Sequence, residues 1–83
     1  MARYTLRQLE LFAAVARQRS LTKAAAEVHL TQPAVSMQVN QLEELVGLPL
    51  TEMLGKKIYL TAAGEEMARQ ARRSQQQLHE AAE

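Results

Sequence analysis

The chain contains no cysteine and no tryptophan, and only one phenylalanine and two tyrosines among its 83 residues. Without cysteine there are no disulfides, no thiolate metal sites and no cysteine nucleophile, which fits a reducing compartment. The scarcity of rings leaves no platform for stacking RNA bases, because Phe12 falls in the expected core and only Tyr4 and Tyr59 remain. Gly47, Gly55 and Gly64 stand singly, so no glycine-rich loop cradles a phosphate. His29 and His79 are too far apart in the sequence to suggest a metal site. No apolar run approaches the roughly 20 residues that span a bilayer, and Arg3, Arg7 and Glu10 leave no room for a signal-peptide core. With no charged triad either, an enzyme and a membrane protein both fit badly. A cytoplasmic protein without a cofactor is the expectation.

What is present suits one small domain: 47% hydrophobic and 23% charged residues, near the globular average. The net charge is only +1, but it is segregated. Residues 1–23 carry Arg3, Arg7, Arg17, Arg19 and Lys23 against Glu10 alone, whereas residues 27–52 carry Glu27, Glu43, Glu44 and Glu52 with no lysine or arginine. Such a division can set a basic face beside an acidic one.

Leu6, Leu9, Phe12, Ala13 and Ala16 recur at three- and four-residue steps after Thr5, which predicts an amphipathic first helix. Thr22 can cap a short second helix through Val28, whose alanines permit close packing. His29 to Gln32 reads as a tight turn, with Thr31 or Gln32 as the cap and Pro33 in the first turn of a third helix. In that helix Val35, Val39, Leu42 and Val46 stay within about 40 degrees of one another at about 100 degrees per residue. Pro33, Ser36, Met37, Asn40 and Glu44 then point outward. Leu50–Leu54 and Lys57–Leu60 around Gly55-Lys56 suit two short strands, and Thr61 can cap a last helix. There Met67, Ala71, Ser74, Leu78 and Ala81 keep a coiled-coil spacing, the expected seam for a second copy, unless the seam folds back on the chain's own core.

A short helix, a tight turn and a helix with a polar outer face make a helix-turn-helix, whose second helix enters the DNA major groove. Gln32 and Asn40 have the side-chain amide that pairs with adenine, and Met37 suits a thymine methyl. No lysine or arginine lies on that face. Phosphate attraction is therefore expected from the N-terminal cations and from Lys56 and Lys57 at the wing tip.

These residues bring a family with them. Leu9-Glu10-Leu11-Phe12, Leu21-Thr22-Lys23-Ala24-Ala25, Leu30-Thr31-Gln32-Pro33-Ala34-Val35-Ser36 and Leu60-Thr61-Ala62-Ala63-Gly64 resemble the N-terminal domain of LysR-type transcriptional regulators over nearly the whole chain. Val35-Ser36-Met37-Gln38, Asn40 to Glu44 and Gly55 to Thr61 look like the CbbR subgroup, which controls carbon-fixation operons. The resemblance implies a mainly α winged helix-turn-helix over residues 1–61 and a linker helix over 62–83 that dimerises. It implies DNA contacts by Thr31, Gln32, Pro33, Ser36 and Met37 and by the wing, and the candidate site also takes in Thr22, Lys23, Asn40, Lys56 and Lys57. It further implies a separate C-terminal domain for a small-molecule effector, so the chain is expected to be a fragment. Two positions depart from the family's habit: Thr51 stands where phenylalanine is usual, and Met53 where arginine is frequent, so the wing is expected to pack less tightly and no phosphate role is assigned to Met53. A different class remains open, a helical module that docks a protein through helix three and the last helix, with affinity nearly indifferent to salt.

Overall fold

A computed structural model describes the backbone of residues 4–82 and the side chains of residues 4–74. The elements run α1 (Leu6–Gln18), α2 (Leu21–Val28), α3 (Gln32–Val46), β1 (Thr51–Leu54), β2 (Lys57–Leu60) and α4 (Ala62–Ala82). This is the expected mainly helical winged helix-turn-helix with a long final helix.

Local chemistry sets the helix ends. Thr5 Oγ accepts from the Gln8 N–H at 3.1 Å while Gln8 Oε1 accepts from the Thr5 N–H at 2.8 Å, a reciprocal cap that starts α1. The cap of α2 is Ser20 rather than the expected Thr22. Ser20 is extended, at φ −153, and its Oγ accepts from the Lys23 N–H at 3.2 Å, so Leu21 opens the helix and Thr22 is already inside it, exposed. Thr31 caps α3 as expected, by accepting from the Ala34 N–H at 3.2 Å, and Pro33 sits in the first turn. Between α2 and α3 the chain reverses through His29, which adopts the left-handed conformation at φ 61, and the Leu30 N–H returns to the Ala25 carbonyl at 2.9 Å.

Two apolar clusters hold these elements together. One joins Leu11, Ala14 and Val15 of α1 to Ala24 and Ala25 of α2, Val35 and Val39 of α3, and Ile58 of β2. The small side chains of Ala24 and Ala25, both buried in this cluster, let α2 lie close to both neighbours. The other gathers Leu9, Phe12, Leu42 and Leu50 beneath Met67, Ala68 and Ala71 of α4. Phe12 is fully enclosed, and its truncation to alanine should cost about 3–5 kcal/mol, a large share of what a domain this size possesses.

The wing is an antiparallel pair in which Thr51 faces Leu60 and Met53 faces Ile58. Ile58 is its one buried side chain, and the Ile58 N–H donates to the Arg19 carbonyl at 3.4 Å, tying β2 to the α1–α2 corner. The junction to α4 is tight. Thr61 Oγ donates to the Pro49 carbonyl at 2.6 Å and accepts from the Gly64 N–H at 3.0 Å. A methyl group at Gly64 would overlap the Leu50 carbonyl oxygen, so glycine is required by the closeness of the two backbones.

The expected partner-facing seam is corrected in its first half. Met67 is only 6% exposed and Ala71 fully buried, both covered by α1 of the same chain, so their spacing serves the intrachain core. Ser74 is half-buried, and Leu78 and Ala81 lie outside the described side chains. α1 and α4 run antiparallel: Arg19 at the end of α1 reaches Glu65, and Tyr4 before its start donates its hydroxyl to Gln70 Oε1 at 2.7 Å. Beyond Gln70, α4 continues to Ala82, roughly 18 Å of helix at about 1.5 Å per residue.

Candidate nucleic-acid interface

The surface of α3 away from Val35, Val39 and Leu42 is uncovered. Gln32 and Pro33 in its first turn and Asn40 two turns on are exposed, Met37 is 53% exposed, and Ser36 is half-buried. Thr31 keeps its hydroxyl hydrogen free to donate while its oxygen caps the helix. The wheel drawn from the sequence is thus the one the fold adopts. Over its first two turns the chemistry of this face is amide, hydroxyl and thioether, suited to hydrogen bonds and apolar contact, and its charge is the exposed Glu44 carboxylate further along, with no lysine or arginine.

Charge enters beside it. Lys23 from the first turn of α2 and Lys56 and Lys57 from the hairpin tip line one cleft of about 480 Å³, together with Arg19, Ser20 and Tyr59. Ammonium groups 33 residues apart in sequence are therefore brought to one place. No carboxylate lines that cleft, and none of the three lysines has an ion pair among the described residues. Ile58 forms part of this cleft and also of a second, about 170 Å³, between α3 and β1, where Ser36 and Asn40 face Met53. The polar face of α3 and the lysine cleft therefore adjoin across one buried side chain.

The N-terminal arginines behave otherwise than their charge count suggests. Arg7 pairs with Glu10 at 3.6 Å, Arg17 with Glu27, and Arg19 with Glu65 at 3.6 Å. Hydrogen bonds from Gln18 and then from Arg17 hold the Glu27 carboxyl below the usual glutamate range, against a small opposing effect of burial. These pairs are exposed and individually weak, but they occupy the arginines within the protein: Arg7 along α1, Arg17 between α1 and α2, and Arg19 between the end of α1 and α4. Of the described N-terminal cations, Lys23 is the one that faces the cleft without a carboxylate.

Comparison with known proteins then decides the family. The model for bacterial regulatory helix-turn-helix proteins of the lysR family matches residues 6–65. The chain belongs to the LysR family. Its family is one of regulatory proteins rather than enzymes. This LysR-family chain is 66% identical over 61 residues, 74% of its length, to a RuBisCO operon transcriptional regulator of Acidithiobacillus ferrooxidans. It is 57% identical over 76 residues, 92% of its length, to one of Allochromatium vinosum. It spans about a fifth to a quarter of those two relatives, 20% and 25%. Its fold matches the crystal structure of the CbnR DBD–DNA complex with a TM-score of 0.87 at 34% identity, covering 95% of this chain and 91% of that one.

Two residues that position this candidate surface in the LysR-family chain were not singled out in the sequence. Glu43 on the buried side of α3 accepts from the Leu50 N–H at 2.8 Å and the Thr51 N–H at 3.4 Å, fastening the start of the wing to the helix. Ile58 forms the shared wall of the two clefts. Neither carries a sequence signal of its own, because each acts through a neighbour distant along the chain.

Proposed function

We propose that this chain recognises double-stranded DNA sequence-specifically, as the operator-reading part of a LysR-type regulator of carbon-fixation genes. The observation that carries the reading is the adjacency of the outer face of α3, which has no lysine or arginine, to a cleft lined by Lys23, Lys56 and Lys57. The helix offers Gln32, Ser36, Met37 and Asn40 to base edges, and with no arginine among them the half-site is biased toward T and A. Thr22, Thr31 and the three lysines take phosphates, which fix register and supply salt-dependent affinity. The carbon-fixation assignment is supported by the two RuBisCO operon regulators named above.

The working unit in this reading is a homodimer on an interrupted palindrome, joined through α4 beyond the reach of α1, with Ser74, Leu78 and Ala81 continuing the coiled-coil spacing in the sequence. Two-fold symmetry then sets half-sites about one helical turn apart, or a multiple of it. The protein acts in the cytoplasm, consistent with the absence, among the described residues, of any helix long and apolar enough to cross a membrane. A small-molecule effector acts through a separate C-terminal domain.

The test is selection of random duplex DNA by the 83-residue chain at two salt concentrations, with sequencing of what is retained. Recovery of a T/A-biased interrupted palindrome, lost steeply as salt rises, is expected. No enrichment at either salt would overturn operator reading by this chain and favour docking of a protein partner.

A further inference from the structure

We propose that Met53 is a specificity-determining residue that reads the C5-methyl group of a thymine, extending recognition from α3 onto the wing. The inference rests on the DNA-reading function proposed above. Met53 pairs with Ile58 across the wing, and because side chains of directly paired residues leave a sheet on the same face, Met53 lies on the face that Ile58 buries against the helices. It lines the cleft opposite Ser36 and Asn40, two residues of the uncovered face of α3. Yet it is 59% exposed, far from the burial that its wing partner Ile58 reaches at 5%. Leu54 is equally exposed but alternates to the other face, away from α3, so it does not share the site.

Chemistry narrows what Met53 can touch. A thioether offers no charge to a phosphate, and the neighbouring Glu52 carboxylate, exposed beside it, disfavours one. The apolar group displayed in the major groove is the thymine methyl. An unbranched, polarizable side chain adapts to such a target without strict geometry. Met37 is 53% exposed on α3, so an exposed methionine stands on each element, and two separate thymines are read, one from the helix and one from the wing.

The experiment uses the duplex retained in the selection, with each thymine replaced in turn by deoxyuridine, which removes the methyl and leaves every hydrogen-bonding group. At the thymine read by Met53, the wild-type chain should lose affinity about fourfold, the value of one buried methyl. Met53→Ala and Met53→Gln should be indifferent to that replacement while remaining sensitive at the thymine read by Met37, and Met53→Leu should keep both sensitivities. Unchanged thermal melting of the variants separates lost contact from lost fold. A Met53→Ala profile identical to the wild type at every thymine overturns the role of Met53 and leaves DNA reading intact. Failure to retain any duplex overturns both.

Discussion

Glu43 Oε2 accepts a hydrogen bond from the backbone N–H of Leu50 at 2.8 Å, so the helix that faces outward with Asn40 also holds the last residue of the loop into the wing. Leu50 is fully buried, and its N–H has no water to turn to if that carboxylate is removed. Glu43→Ala should cost about 1–3 kcal/mol, the penalty of a stranded donor, and Glu43→Gln less, because an amide oxygen can still accept. Urea denaturation of the three proteins measures it; equal stability of Glu43→Ala and wild type would show that the wing is held by packing alone.

Sequence readout and phosphate attraction should separate. Gln32→Ala is expected to cost about 1–3 kcal/mol on the selected site and to relax preference at one position, with the salt dependence unaltered. Replacing Lys56 and Lys57 by alanine should weaken binding to every duplex and flatten the slope of log K against log salt by up to about 2, and adding Lys23→Ala by up to about 1 more. Titrations at four salt concentrations distinguish the two behaviours, and an unaltered slope in the triple variant would remove the cleft from the phosphate contacts.

Acid should loosen the α1–α2 corner. The Glu27 carboxyl is held below its ordinary range, by Gln18 first and Arg17 second, so the folded state binds a proton there less readily than the unfolded chain does. Its contribution to stability is therefore complete above the ordinary glutamate value and disappears as pH falls through the lowered one. Denaturant midpoints taken from neutral pH down to about pH 3 should show wild type and Glu27→Gln converging on the acid side. A constant gap over that range would mean Glu27 contributes nothing that protonation can remove.

Core and dimer roles along α4 are separable by the same logic. Met67→Ala should lower stability by about 2–5 kcal/mol, because Met67 fills the chain's own core. Leu78→Asp should leave that core intact and convert a dimer into a monomer by light scattering. A dimer that persists in Leu78→Asp would place the interface elsewhere.

Much of this was legible in the residues. Apolar steps of three and four give α1 and α3, Pro33 and Gly47 bound α3, and Gly55 marks the turn of the wing, all local rules of backbone and burial. Thr22 and Ser20 are both competent caps, and Leu21 decides between them by packing into the cluster with α1, which only the tertiary structure shows. The spacing of Met67 and Ala71 is the same whether α1 or a second copy covers them. The charge count of the N-terminal region was readable, but that Arg17 and Arg19 are paired while Lys23 is not depends on carboxylates brought close by folding. The outward face of α3 follows from its angular period; Glu43, Ile58 and Met53 owe their positions to contacts across the fold.

The bonds from Glu43 to Leu50 and Thr51, from Ile58 to Arg19, and from Thr61 to Pro49 leave the wing little freedom to swing relative to α3. In the DNA-reading function proposed here, the protein then behaves as a caliper of fixed opening. Whatever adjustment a given operator requires falls on the nucleic acid, which must bend or change its groove width to meet both jaws. Base steps that no side chain reaches should accordingly tune affinity through their stiffness.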